Sequence, residues 1–328
     1  MICAMLHRRL MTVARLVSRP RWLTPLLFGA VLAILVVLIA RQWDVLVAFP
    51  WRLNLLYLGL ALTCHSIALG ATFVVWHLMV AKLAGFHDLG MNFRFYYLST
   101  LAKRVPTAIW YVGGRIAMYQ QVGVPVASIA NVIVLEPIIL ALGGVLTLLC
   151  FVPFYSTLPS ERITPFAGLG VAGVALLLFR PRLFADVTNW ILGRFHAGRL
   201  DRVPSRQDLV SWLAINIVPW LFAGCSLYCA VCSVTTAVSV PLVDAIGIST
   251  VAMLVSLLSL VLPGGLGLKE LTTGALLLPW MPFSTAMVIV IAYRLMQTLN
   301  EMVWALIATR VRTDGMMGCS DPVRRESG

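Results

Sequence analysis

Charge is scarce in this chain. Only 12% of its 328 residues are charged while 60% are hydrophobic, against about 25% charged in an ordinary soluble domain. Mean hydropathy is +0.92. That shortage excludes a soluble globular protein and predicts an all-α polytopic membrane protein. The longest polar segment, residues 180–208, is too short to hold a soluble catalytic domain. Acids are scarcer still, with 13 Asp and Glu against 25 Lys and Arg. No Asp-x-Asp, His-Glu-x-x-His, phosphate-loop or nucleophile-elbow pattern occurs, so no catalytic residue, metal site or cofactor is read from the sequence. The chain reads as transporter-like rather than as an enzyme, with enzyme activity left undecided. A cleavable leader is not signalled either, because no small-x-small site follows the first apolar run; residues 23–40 read as a retained signal anchor. Most of the seven cysteines lie inside apolar runs, and Cys225, Cys229 and Cys232 share one helix face, as small packing residues would.

The charge that is present is unevenly placed. Arg8, Arg9, Arg15, Arg19 and Arg21 precede the first apolar run without an acid among them. Six arginines crowd residues 180–206, and Arg310, Arg312, Arg324 and Arg325 close the chain. This bias orients loops toward the cytoplasm and attracts anionic lipid. No soluble basic module exists to carry nucleic acid. Both termini are expected in the cytoplasm, and the protein in the inner (plasma) membrane. Runs at 23–40, 54–80, 126–152, 165–179, 209–232 and 284–309 have the composition of six full crossings.

Two further apolar segments are interrupted. Near residues 92–123, Lys103, Arg104, Pro106, Gly113, Gly114 and Arg115 break the run. Near residues 245–279, Pro263, Gly264, Gly265, Gly267, Lys269 and Glu270 do the same. Proline removes a backbone donor and glycine favours turns, and unpaired backbone survives in a bilayer only where protein or a wet cavity surrounds it. Charge counting makes the first broken segment begin and end inside and the second begin and end outside. Two re-entrant hairpins entering from opposite faces satisfy this; so do two pairs of short kinked crossings. The prolines Pro106 and Pro263 are 157 positions apart, the runs from 54 and 209 are 155 apart, and those from 126 and 284 are 158 apart. Such offsets predict an inverted repeat, with a site near the midplane where the halves meet.

Ionisable groups inside the bilayer each cost ~2.5–3.5 kcal/mol on insertion scales, so each needs a partner or a function. Glu136 and Arg294 are 158 positions apart, hence equivalent in the two halves and candidates for a pair across the pseudo-two-fold axis. Lys103, Arg104 and Arg115 bracket the first break. A helix from residue 92 would put Lys103 ~17 Å deep, near the midplane. There it would suit a phosphate; a shallower hairpin would let Lys103 and Arg104 reach the surface. Glu270 is placed to cap the helix after the second break, or to oppose the first hairpin's cations. His65 and His77 on the second run are candidates for packing or, with Glu136, for a proton relay, and Glu301 near the end of the last run, beside Asn300 and Gln297, is a candidate second acid in the cavity. Trp22, Trp43, Trp51, Tyr155 and Trp280 sit near run ends as interface anchors.

At these residues the chain resembles the transmembrane region of the lysylphosphatidylglycerol synthase/flippase family. Lys103-Arg104-Val105-Pro106-Thr107-Ala108-Ile109-Trp110 with Gly114-Arg115, Pro263 through Glu270, Glu136, and Tyr293-Arg294 carry the likeness, which runs from about Leu23 to Arg312. Thr107 stands where the family has glycine, and no soluble aminoacyltransferase domain follows the last run. The resemblance implies the flippase-like half: an amphiphile with an anionic headgroup or a polyprenyl carrier moved between leaflets, rather than lipid lysinylation. The substrate-binding set so read is Lys103, Arg104, Arg115, Arg294, Glu136 and Glu270. The expected division is a basic N-terminus (1–22), two membrane repeats (23–152 and 153–312) and a disordered tail (313–328). Membrane lipids are the partners expected, with a homo-oligomer or an envelope-synthesis partner left open. An integral-membrane transferase or accessory subunit of lipid or glycan synthesis is the alternative, with Asp44, Glu161 and Asp244 as its main external acids.

Overall fold

The computed structural model describes residues 53–102, 108–151, 204–234, 240–258 and 267–311, with scattered positions between 29 and 51 and between 168 and 193. Side chains of residues 108–110 and 258 are not among those described. The described residues are all-helical: α1 (Trp43–Ala48), α2 (Leu55–Ala84), α3 (Leu89–Ala102), α4 (Ala108–Gln120), α5 (Val126–Phe151), α6 (Arg206–Val234), α7 (Leu242–Leu258), α8 (Leu268–Leu276) and α9 (Phe283–Arg310).

The order after α1 is long, short, short, long, and then the same again. Helices α2, α5 and α6, of 30, 26 and 29 residues, are long and apolar enough to cross a membrane. Helix α9 has the length, 28 residues, but Arg294, Gln297, Asn300 and Glu301 interrupt its apolar run and it falls short in hydropathy. Three of the six expected crossings therefore stand as such among the described residues, and those at 23–40 and 165–179 lie outside them. Helices α3, α4, α7 and α8 have 14, 13, 17 and 9 residues, each shorter than the ~20 a full crossing needs. Each broken segment is thus a pair of short helices. The junctions, 103–107 and 259–266, lie outside the described residues, and with them Lys103, Arg104, Pro106, Pro263, Gly264 and Gly265.

Local signals set the ends. Asn54 caps α2, its side-chain oxygen accepting from the amides of Leu56 at 3.0 Å and Tyr57 at 3.4 Å. Ser205 and Asp208 satisfy one another at the start of α6, the Ser205 amide donating to Asp208 Oδ2 at 2.8 Å and the Asp208 amide to Ser205 Oγ at 3.2 Å. Helices α2 and α6 run antiparallel: the Asn54 amide donates to the Ser233 carbonyl at 2.8 Å at one end. Lys82 Nζ meets Asp208 Oδ2 at 3.0 Å at the other.

The two groups of helices interlock. Helix α5 packs on α6 and α7, while α9 packs on α2 and α3. Exchange α2–α5 for α6–α9 and these contacts map onto one another, as do α3 with α4 and α7 with α8. Small residues let the backbones approach, as membrane helix packing requires. A Cβ at Gly224 would come 2.3 Å from the Ile246 Cα, and one at Gly144 would come 2.7 Å from the Trp220 ring. One buried cluster surrounds Trp76, Met79, Tyr97, Tyr119, Ile129 and Trp212. The other surrounds Leu227, Val231, Ile248, Leu277, Ile289 and Tyr293.

Candidate functional site

Two ion pairs stand at equivalent places in the two helix groups. In each, the short helix after a junction is tied to the long helix that follows it. Arg115 of α4 donates through Nη1 to Glu136 Oε2 of α5 at 2.6 Å. Arg294 of α9 donates through Nη1 to Glu270 Oε1 of α8 at 2.5 Å. Arg115 and Glu270 are 155 positions apart, and Glu136 and Arg294 are 158 apart. The geometry repeats while the signs are reversed: the cation sits on the short helix in one pair and on the long helix in the other.

This corrects two expectations. Glu136 and Arg294 each bind the short helix of their own group in place of one another. Glu270 stands in the first turn of α8, as an acid near a helix start should, but it makes no capping bond; the N-cap is Gly267, at φ 100°, and the Glu270 carboxylate pairs with Arg294 of α9. A left-handed backbone at that position suits glycine and few other residues. A third correction concerns Gly113 and Gly114, which were expected to break the chain but lie inside α4. Of the seven expected break residues, Gly267 alone is described at a helix end.

The first pair is caged. Arg115 is fully buried, while Glu136 keeps 16% of its side-chain surface, much as Glu270 does in the second pair. The Arg115 Nε donates to Ser99 Oγ of α3 at 2.8 Å, and the Tyr111 hydroxyl donates to Glu136 Oε2 at 2.5 Å. The guanidinium carbon lies 3.8 Å from the Trp76 ring centre, 4.4 Å from that of Tyr111 and 5.2 Å from that of Tyr96, so ring faces take up much of the charge. Arg115 Nη2 meets no acceptor among the described residues. Trp76 is itself fixed. Its Nε1 donates to the Tyr119 hydroxyl at 2.9 Å, and that hydroxyl donates to Asn92 Oδ1 at 2.5 Å. The Asn92 amide nitrogen lies 2.9 Å from His77 Nδ1. Four helices, α2 to α5, thereby hold one guanidinium. Pro137, just after Glu136, deprives the Ile133 carbonyl of its helical donor and loosens α5 at that level.

The second pair is open. Arg294 and Glu270 keep 20% and 18% of their side-chain surface. They line a cavity of about 20 Å³ with Lys269, Thr273, Tyr293 and Gln297, which is room for one water. Lys269 Nζ donates to Gln297 Oε1 at 3.4 Å, and the Tyr293 hydroxyl donates to the Ala223 carbonyl of α6 at 3.1 Å. No aromatic face covers Arg294 among the described residues. Two cations, Arg294 and Lys269, and one carboxylate, Glu270, line the cavity. Such a pocket can exchange a carboxylate for a phosphate oxygen without stranding the guanidinium.

Of the six residues expected to bind substrate, the structure gathers four into these two pairs, and Lys103 and Arg104 lie outside the described residues. The cage of Trp76, Tyr96, Ser99 and Tyr111 was not foreseen. Its one sequence signal is the spacing of Tyr111 and Arg115, four apart and so on one helix face. Trp43 and Asp44 are exposed and line a second, shallow cavity with Val36 and Ala40.

A family model described as Lysylphosphatidylglycerol synthase TM region matches residues 22–304. No curated protein matches the chain.

Proposed function

The chain belongs to the lysylphosphatidylglycerol synthase TM region family, and from that premise we propose that it translocates a lipid with an anionic or polyprenyl-linked headgroup between the leaflets of the inner membrane. The family makes it a membrane protein of lipid metabolism. The observation that carries the finer reading is the pair of sign-reversed salt bridges at the two broken segments. One is locked by a cage; the other opens on a water-sized pocket beside α8 and α9 that Lys269 also lines. In this reading Arg294 and Lys269 receive the headgroup phosphate and Glu270 is displaced. Lys103 and Arg104 extend the binding surface from the other junction, with Arg115 and Glu136 as the fixed counterpart. The two halves are inverted repeats of 23–152 and 153–312, with re-entrant hairpins and both termini cytoplasmic. The antiparallel run of α2 and α6, the first helix of each half, supports that arrangement.

The test is reconstitution into phosphatidylcholine vesicles carrying a fluorescent phosphatidylglycerol or phosphatidylcholine probe, with movement read by quenching of the outer leaflet. Protein-dependent movement of the anionic probe that falls in Arg294→Leu is the expected result. If neither probe moves, translocation is wrong, and an activity that requires Asp44 would then favour a transferase. Topology is tested separately, by labelling single cysteines introduced at His87 and Leu242 in a cysteine-free background. Both labelled from one side would refute the inversion.

A further inference from the structure

Helix α9 carries a polar face that continues beyond the headgroup pocket. Gln297 lines that pocket. Asn300 and then Trp304 follow it at helical spacing, on the same side of the helix. The other side, at Leu299, Val303 and Leu306, is apolar and exposed. From Arg294 to Trp304 the helix rises ~15 Å, half the thickness of a ~30 Å hydrocarbon core. The polar face meets α2 at Ser66. Asn300 Nδ2 donates to Ser66 Oγ at 3.0 Å and to the Leu62 carbonyl at 3.4 Å, and Trp304 Nε1 donates to Ser66 Oγ at 3.1 Å. The indole is held in that direction by Tyr97 of α3, the two rings stacked 5.5 Å apart at 19°.

Polar side chains at a membrane helix contact can serve as glue, but the other half of the molecule shows that this contact does not require them. At the offsets of 155 and 158 that relate the two helix groups, Ser66 corresponds to Leu221, Gln297 to Ile139, Asn300 to Leu142 and Trp304 to Leu146. At the matching places α6 and α5 thus carry four aliphatic side chains, and α5 packs on α6 more extensively than α9 packs on α2. The hydrogen-bonding copy is the looser of the two, and it is the copy that adjoins the open salt bridge.

We infer that Gln297, Asn300, Ser66 and Trp304 form a hydroxyl-binding subsite next to the phosphate pocket, which selects a headgroup with hydroxyls beyond its phosphate; the assignment rests on the translocation reading for the phosphate at Arg294 and Lys269. Two amides and a serine hydroxyl both donate and accept, and the indole donates, which matches a ligand hydroxyl that does both. Ser66, Asn300 and Trp304 are neutral and hold one another. A ligand hydroxyl can therefore replace one of these partners without stranding a charge, exchanging one neutral hydrogen bond for another at little net cost. Gln297 and Asn300 lie ~4.5 Å and ~9 Å beyond Arg294 along the helix axis. That is the reach of a glycerol, or of one polyol ring, joined to the phosphate.

Phosphatidylglycerol and phosphatidylpropanol carry the same charge and differ only in the headgroup hydroxyls. Fluorescent forms of both, and of phosphatidylinositol, are compared in phosphatidylcholine vesicles that hold the full chain. Phosphatidylglycerol should move about tenfold faster than phosphatidylpropanol. In the double variant Ser66→Leu with Asn300→Leu, which gives this crossing the residues of its counterpart, the ratio should fall to about one. Trp304→Phe keeps a ring against Tyr97 and drops the donor; it should lower the ratio about threefold, and it decides alone if the double variant does not elute as a folded species. A wild-type ratio near one, or a ratio that survives in the folded variants, overturns the subsite. Phosphatidylinositol that keeps pace with phosphatidylglycerol supports a subsite for polyols in general, and one that lags with phosphatidylpropanol supports a subsite of glycerol size. If no lipid moves, thermal unfolding of the full chain in detergent with each lipid added separates the two readings. Stronger stabilisation by phosphatidylglycerol than by phosphatidylpropanol, lost in the variants, leaves the subsite standing and removes translocation; equal stabilisation overturns the subsite.

Discussion

The Arg115–Glu136 and Arg294–Glu270 pairs share a position and differ in almost everything else. The first is sealed, its guanidinium with none of its side-chain surface exposed, bonded to Ser99 and stacked on Trp76. The second leaves about a fifth of each side chain open to a water-sized cavity. Burial decides what a salt bridge can do. A desolvated pair that loses one member leaves an uncompensated charge, so it cannot part without a large penalty. In the second pair the guanidinium keeps a fifth of its surface on the cavity, so its arginine can change partners at lower cost than the sealed Arg115. The first pair thus behaves as a fixed joint and the second as the exchangeable one, though the two arose at matching positions of the chain.

The hardest test of that contrast is Glu136→Gln. It strands Arg115, and loss of one member of a buried pair costs about 3–5 kcal/mol; thermal unfolding in detergent should fall accordingly. The double change Arg115→Met with Glu136→Leu should recover most of the loss, because an apolar pair of similar volume has no charge to strand. A double variant no more stable than Glu136→Gln would show that the cage itself depends on the charge. Next in size is Tyr111→Phe, which removes a donor to the carboxylate and should cost about 1.5–3 kcal/mol, as hydrogen bonds to charged groups do. At the open pair, Arg294→Leu should lower stability by only about 1 kcal/mol. The same change should slow movement of the anionic probe about tenfold, or ~1.4 kcal/mol of barrier. Equal losses of stability at Glu136 and Arg294 would erase the distinction between joint and gate.

Much of the scaffold can be read from residue order. The lengths and hydropathy of α2, α5 and α6 announce them, Asn54 marks the start of one, and the Ser205–Asp208 pair marks the start of another. Arg115, Glu136, Glu270 and Arg294 stand out because charge in an apolar run is expensive. Their partners do not stand out. Glu136 and Arg294 share an offset and opposite signs, which suggests a pair, yet Arg115 and Glu270 share nearly the same offset, and only the packing of α4 on α5 and α8 on α9 chooses between them. Glycine is ambiguous for a related reason. Gly113 and Gly114 look like a break beside Pro106, but within a packed helix the missing side chain is tolerated, and α4 runs through them. The aromatic cage was invisible because Trp76 and Tyr96 come from helices whose approach no local pattern encodes.

The smallest expected change in stability is at Lys269. Its ammonium donates to the neutral Gln297 amide oxygen at 3.4 Å, a long contact. Lys269→Gln should therefore move the unfolding temperature little, by less than about 0.5 kcal/mol, as for a surface substitution. It removes one of the two cations that line the pocket, however, and leaves Arg294 paired with Glu270 there. The anionic probe should lose its advantage over phosphatidylcholine, and raising the salt concentration should no longer slow it, because the attraction that salt screens would be gone. Arg294→Leu, by comparison, should slow both probes, since either headgroup carries a phosphate for the guanidinium to grip. If Lys269→Gln slows both probes equally and Arg294→Leu only the anionic one, the two cations have exchanged roles, and headgroup selection belongs to the salt bridge rather than to the charge beside it.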